Sequence, residues 1–311
     1  MIYTITLNVS LDKIVTLPHL KVNTDNSALD IFFDIGGKAT HVSMVLSAVG
    51  VPNVATGFMA GYTGEMVNNM LKDAGVDCQY IWVDGKITRE TTLIRIAGEE
   101  GSYMITERGF EVPREYLDKL FDKLNNELKE GDMVVISGGP PKGVEKPEYE
   151  ELYSLIKSKG AKLIVDIGKG YLPYAVDAKP FLIKPNQKEL EDYLGRQLNG
   201  EEEVIEEMLK LNDNGVEYVI VSLGSQGSLM SHNGEVFKAV PPKVFERNDT
   251  GCGDVFLGGV VSQIYLNKPV EEIFRFATGL GASKATKEGS SEFSLEEAAE
   301  YAKQVIFEKV R

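Results

Sequence analysis

The chain has 311 residues, 43% of them hydrophobic and 26% charged, a composition that suits a globular protein with a sizeable core. A net charge of −14 argues against a nucleic-acid partner, whose backbone phosphates demand a basic surface, so any small anion must be met by locally gathered lysines and arginines. Cys78 and Cys252 stand far apart with no metal-ligand spacing around them, which argues against a disulfide framework or a zinc site and points to a reducing cytoplasm.

Residues 2–7 are rich in β-branched side chains and read as a first strand, not as a signal peptide, and no apolar run is long enough to span a membrane. Residues 8–12 follow as a loop at the C-terminal end of that strand, where open α/β sheets bind ligands. Asp12 is thus a candidate for binding sugar hydroxyls, or else a carboxylate closing a local turn. Residues 14–17 and 28–33 are strand-like, as are residues 91–96 and 103–106, the second pair being joined by a hairpin segment at 97–102. Strands arriving in two separate pairs predict a small sheet apart from the main one, a lid or a dimer surface contributed by about residues 12–35 and 87–108.

Gly36-Gly37-Lys38 opens a helix over residues 39–49, in which Val42, Val45, Leu46 and Val49 share one face. The pattern reads as an anion site with Lys38 as its charged arm, against a solvated lysine after a tight turn. It matches neither the Walker A loop nor the dinucleotide fingerprint. Beyond it, strands at 54–58, 133–137, 163–166, 181–184 and 218–222 alternate with helices at 63–74, 114–128, 149–159 and 201–214. Helices at 253–266, 270–286 and 295–310 close the chain. Such alternation predicts a mostly parallel sheet covered on both faces, within one domain spanning residues 1–311.

The stretch Asn248-Asp249-Thr250-Gly251-Cys252-Gly253-Asp254 turns into the apolar helix that begins at Val255. The first turn of a helix carries unpaired N–H groups and partial positive charge, and glycines let a ligand approach the main chain, so this is a seat for a phosphate or a developing anion. Asp254 beside it is free to take a proton. The stretch reads equally as a glycine-rich capping turn. Asp12, Gly37, Lys38, Ser137, Asn186, Glu189, Ser222 and Gly224 all lie after strands and are expected to gather along the same sheet edge, with Arg89 reaching over it. No Ser/His/Asp set or H-E-x-x-H motif is present. Glycine-lined anion sites, a few cations and one carboxylate at a helix N-terminus suit phosphoryl transfer, which needs positioning and charge neutralisation more than covalent chemistry.

These residues resemble the ribokinase-like (PfkB) carbohydrate kinases, in particular the branch of 1-phosphofructokinase and tagatose-6-phosphate kinase. The resemblance runs along essentially the whole chain, through residues 1–8, Gly36-Gly37-Lys38, Thr88-Arg89, Val135-Ile136-Ser137-Gly138, residues 184–190, Val221-Ser222-Leu223-Gly224 and Gly251-Cys252-Gly253-Asp254. It implies an α/β fold, a doubly wound, mostly parallel sheet flanked by helices, with a small β-sheet lid that commonly also forms a homodimer contact. It implies ATP- and Mg²⁺-dependent phosphorylation of a sugar phosphate, fructose 1-phosphate or tagatose 6-phosphate. By that resemblance Asp254 is the base, and Gly251, Cys252 and Gly253 form the anion hole. Asp12, Gly37, Lys38, Arg89 and Ser137 hold the substrate, with Lys38 and Arg89 on its existing phosphate. Asn186 and Glu189 attend the metal through its waters. Lys184, Asn186, Ser222, Gly224, Gly227 and the region from Gly279 to Ser283 line the nucleotide site. The chain departs from the family pattern at Val9, at Ala39-Thr40-His41, at Glu90 and at Phe110, all on the substrate side. His41 is therefore either a substrate contact or a structural histidine at the start of a helix. Two other functions stay open: a kinase of an unphosphorylated sugar or nucleoside, which the two cations argue against, and a non-catalytic sugar-phosphate sensor, which the retained Asp254 and Asn186/Glu189 argue against.

Overall fold

A computed structural model describes residues 1–99, 101–168 and 170–311. β1 (Ile2–Thr6) is followed by β2 (Ser10–Leu17), β3 (Asp30–Gly36), α1 (Lys38–Ala48), β4 (Asn53–Met59), α2 (Gly61–Asp73) and the short β5 (Asp77–Cys78) and β6 (Ile81–Trp82). Next come β7 (Arg89–Ile96), β8 (Tyr103–Thr106), α3 (Arg114–Glu127), β9 (Met133–Ser137), α4 (Lys146–Ser158), β10 (Lys162–Asp166), α5 (Leu172–Asp177) and β11 (Leu182–Ile183). The remainder comprises α6 (Gln187–Leu194), α7 (Glu201–Asp213), β12 (Tyr218–Ser222), β13 (Ser228–His232), β14 (Glu235–Val240), α8 (Cys252–Tyr265), α9 (Val270–Ala285), α10 (Leu295–Gln304) and β15 (Ile306–Lys309).

Among the described residues the main sheet runs β15-β14-β13-β12-β11-β10-β9-β1-β4-β5, with β6 beside β4. It is parallel from β12 to β5 and antiparallel from β12 to β15. Its central strands are buried along almost their whole length because both faces are covered. Tyr3, Ile5, Val134 and Ile136 point into a core with Leu120, Tyr149, Ile156 and Met208 of α3, α4 and α7. Ile2, Met133 and Val135 point the other way, to Val42, Leu46, Leu257, Val261 and Phe274 of α1, α8 and α9. Helix α8 is buried from Asp254 to Ser262 and lies against α1 and α9 with Gly258 on Val45 and Gly259 on Ala277. Each of its large apolar side chains stabilises the fold by roughly 1.5–3 kcal/mol, so the helix is a rigid mount for its first turn.

A second sheet, β3-β2-β7-β8, stands apart, with β2 and β7 parallel and the outer pairs antiparallel. β2 and β3 come from one stretch of the chain, and β7 and β8 from another. Residue 100, within the expected hairpin turn, lies outside the described residues. Elsewhere the structure corrects the sequence reading. Residues 8–12 are not all loop, because β2 begins at Ser10 and Asp12 pairs with Asp34 across the sheet. The expected closing helix stops at Gln304, and β15 instead adds to the edge of β14. Phe307 stacks on Phe237 and meets Phe274 edge-on, so burial on the sheet outweighs helical periodicity there. The β13–β14 hairpin turns at Asn233-Gly234, both with positive φ, an Asn-Gly signal legible in the sequence. No helix among the described residues is long and apolar enough to cross a membrane.

Candidate active site

The stretch before α8 is held from behind. Lys284, fully buried in α9, donates to the Asn248 carbonyl at 3.0 Å, and Asn248 Nδ2 donates to the Glu288 carbonyl at 2.9 Å. Burial pulls the Lys284 ammonium below its usual range, with Cys252, Asp34 and Asp249 pulling the other way. Gly251 caps α8 at φ 87°, where an L side chain is strained, and a Cβ there would overlap the Ser290 carbonyl. The N–H of Cys252 donates to Asp249 and those of Asp254 and Val255 to Gly251. Those of Gly251 and Gly253 have no protein acceptor among the described residues. The uncommitted donors at this helix start are thus the glycine N–H groups, while the Cys252 thiol is pushed up to about 12, first by burial.

Asp254 is largely buried on the first turn of α8, and its Oδ2 lies 3.0 Å from His41 Nδ1. The other ring nitrogen of His41, Nε2, is 2.8 Å from the Ile35 carbonyl. Burial opposes a charge on the ring, but the hydrogen bond and the charge of Asp254, the Ile35 carbonyl and Asp12 carry its pKa above the ordinary value. Asp12 sits on β2 with Ser10 Oγ donating to Oδ1 at 2.7 Å and Ser290 Oγ donating to Oδ2 at 2.8 Å. Burial raises its pKa, and the two hydroxyls and His41 moderate that. Ser291 N–H donates to Asp34 at 3.1 Å, so the segment after α9 ties the lid strands to the loop that ends at Gly251.

A second cluster centres on Asp166, at the C-terminal end of β10. Its Oδ1 is 3.3 Å from Lys184 Nζ, its Oδ2 is 3.6 Å from Lys38 Nζ, and Ser137 Oγ donates to Oδ2 at 3.0 Å. Burial pushes the pKa of this carboxyl up; Lys184, Lys38 and Ser137 overcome that and hold it below its ordinary value. The charge of Asp166 in turn keeps Lys38 protonated well above the usual lysine range. Gly37 caps α1 at φ 99°, aiming Lys38 at this carboxylate, and Lys38 passes within 3.7 Å of where a Cβ on Gly138 would stand. The Lys184 ammonium lies 3.4 Å from the Cβ position of Gly253, so the two clusters meet at the start of α8.

The other expected residues divide. Arg89 lies beside Asp12 at the start of β7, its guanidinium donating to the Asn8 carbonyl at 3.3 Å and to Thr91 Oγ1 at 3.1 Å. Burial lowers its pKa, with Asp12 and Glu107 opposing. Asn186 and Glu189 form a capping box on α6, Oδ1 accepting from Glu189 N–H at 2.8 Å and Oε2 from Asn186 N–H at 2.9 Å. Glu189 Oε1 has no hydrogen bond among the described residues and rests against Gly168. Ser222 ends β12 in a bridge to Asn186, and Gly224 follows in open space. Gly227 packs against the β14 backbone at Ala239, and Gly279 against the α10 backbone at Ala298. Ser283 donates to Glu297 Oε2 at 3.0 Å and accepts from Ser294 N–H at 3.0 Å. The last three are committed to packing.

Asp166, Lys284, Ser10 and Ser290 escaped the sequence reading. Asp166 carried a usable signal, a carboxylate ending an apolar strand like the neighbouring site residues. The others carried none, since a buried lysine and two serines are legible only through their partners.

The profile described as pfkB family carbohydrate kinase matches residues 6–298. The chain is 33% identical over 296 residues to the 1-phosphofructokinase of Bacillus subtilis, covering 94% of this chain and 96% of that protein. It is 30% identical over 295 residues to the D-tagatose-1-phosphate kinase of Bacillus licheniformis, covering 94% and 95%. Among solved structures, phosphofructokinase-2 from Escherichia coli in complex with fructose-6-phosphate superposes with a TM-score of 0.89 at 26% identity, covering 97% of this chain and 98% of that one.

Proposed function

The chain belongs to the pfkB family of carbohydrate kinases, phosphotransferases with an alcohol group as acceptor, and from that premise we propose that it transfers the γ-phosphate of ATP to a hydroxyl of a sugar phosphate. One observation carries the reading: the Gly251 and Gly253 N–H groups, without an acceptor among the described residues, and the Lys184 ammonium converge where Asp254 stands on a rigid helix. Asp254 takes the proton of the acceptor hydroxyl as its oxygen bonds to phosphorus and the bond to ADP breaks. The glycine N–H groups and Lys184 meet the charge on the transferring phosphoryl group. Lys38 and Arg89 bind the phosphate already on the acceptor, and Asp12, Gly37 and Ser137 shape its sugar site. A fixed Asp166 carboxylate holds both ammonium groups and keeps Lys38 charged, which stops them collapsing onto Asp254.

The nucleotide lies along Lys184, Asn186, Ser222 and Gly224, with Gly227, Gly279 and Ser283 packing the wall behind. Magnesium, when bound, would neutralise phosphate charge; the donor set fits an ion that keeps its waters, since among the described residues Glu189 retains one uncommitted carboxylate oxygen beside a capping box. The acceptor is a ketohexose phosphate, fructose 1-phosphate first. Tagatose 1-phosphate joins tagatose 6-phosphate as the second choice, because a tagatose-1-phosphate kinase is among the relatives. The whole chain works as one domain in the cytoplasm, and the outer face of the lid, on which Ile31, Phe33, Tyr103 and Ile105 are exposed, joins two copies.

An ADP-release assay with fructose 1-phosphate, fructose 6-phosphate, both tagatose phosphates, free hexoses and nucleosides tests this. Turnover of a sugar phosphate is expected, with kcat lowered at least about 10²-fold in Asp254→Asn. Turnover of free sugars alone, or binding with no turnover, would refute it.

A further inference from the structure

His41 occupies a position where the chain departs from its family's pattern, and the structure puts it on the catalytic carboxylate. Its ring is almost wholly buried, with Nδ1 3.0 Å from Asp254 Oδ2 and Nε2 2.8 Å from the Ile35 carbonyl oxygen. Neutral imidazole has one N–H and one lone pair, so it can satisfy only one of these acceptors. The other would face a lone pair at hydrogen-bonding distance with almost no solvent to screen it. An imidazolium donates to both. The surroundings favour that cation. Asp254 approaches from α8 and the Ile35 carbonyl from β3; Asp12 on β2 adds a further carboxylate, and Gly251 closes the Nδ1 side. The nearby ammonium groups are engaged elsewhere, Lys38 and Lys184 both on Asp166.

We propose that His41 is a positioning residue, kept as an imidazolium that clamps Oδ2 of Asp254 and leaves Oδ1 to receive the proton of the acceptor hydroxyl. The inference rests on Asp254 being the base. Oδ1 has no hydrogen bond among the described residues, whereas Oδ2 is taken. Loss of the ring proton forces His41 to give up either Asp254 or Ile35. In the first case the carboxylate loses its anchor, and in the second the end of β3 beside Gly36-Gly37 loosens. Either way turnover falls as pH rises through the titration of His41.

Two measurements decide it. In the ¹⁵N spectrum of the wild-type protein one ring, absent from His41→Asn and retained in His19→Gln and His232→Gln, is expected to show both nitrogens protonated near neutral pH. A ring with one bare nitrogen there overturns the proposal whether or not the asparagine variant folds. In the pH profile of kcat/KM, the wild type is expected to lose activity on an alkaline limb that His41→Asn lacks, because its amide does not titrate. The same alkaline limb in both proteins overturns the proposal. Near-normal turnover by Asp254→Asn would instead remove the base assignment itself, a separate outcome that the ring spectrum does not share.

Discussion

Replacing Asp166 by asparagine removes the charge that cross-links two site lysines while keeping the side-chain shape. At an effective dielectric of about 20, an ion pair at 3.3 Å is worth roughly 5 kcal/mol before desolvation is subtracted. Lys184 is nearly buried, so its ammonium is stranded and the net loss is that of breaking a buried pair, about 3–5 kcal/mol. Lys38, with its side chain 43% exposed, relaxes into solvent and adds no more than about 1 kcal/mol. An unfolding entropy of roughly 0.65 kcal/mol/K for 311 residues converts the loss into a fall in Tm of about 5–8 °C. Calorimetry of both proteins across pH checks the sign. The folded carboxyl is held below its ordinary value, so its contribution is complete above the unfolded value near pH 3.9 and fades only as pH drops below that. The Tm gap is therefore expected to be flat from about pH 5 to 8 and to close only under more acid conditions. A variant within about 1 °C of wild type, or a gap already closing near neutrality, would refute the reasoning.

Gly251→Ala is expected to lower kcat by about 10²–10³-fold, since a Cβ at φ 87° meets the Ser290 carbonyl and displaces an anion-binding N–H; a normal rate from a folded variant would count against that donor. Cys252→Ser should keep kcat near wild type, and the thiol should alkylate slowly at neutral pH, because burial pushes its pKa up to about 12; rapid inactivation by iodoacetamide would contradict this. Phe33→Asp or Ile105→Asp should shift a dimer to monomer in light scattering without touching Asp254, and an unchanged mass would move the interface off the lid.

Much of the architecture was legible along the chain because it is local. Residues 133–136 are apolar in an unbroken run and lie in the middle of the sheet, and Val42, Val45 and Leu46 mark the inner face of α1. The Asn186-to-Glu189 spacing likewise encodes a helix start by itself. Residues 306–309 show where local pattern fails, since their apolar side chains suit a helix face or a sheet edge and only the free edge of β14 decides. The same division runs through the site. Glycines followed by Asp254 mark the proposed anion-binding turn at any distance from the rest of the fold, because the N–H groups at a helix start belong to the turn itself. What each charge does is set by partners far away in sequence: Asp166 between Lys38 and Lys184, Asp12 on Ser290, and His41 on Asp254, 213 residues apart. Burial brings those groups together and removes the water that would otherwise screen them, so the state of the proposed base is a property of the tertiary structure.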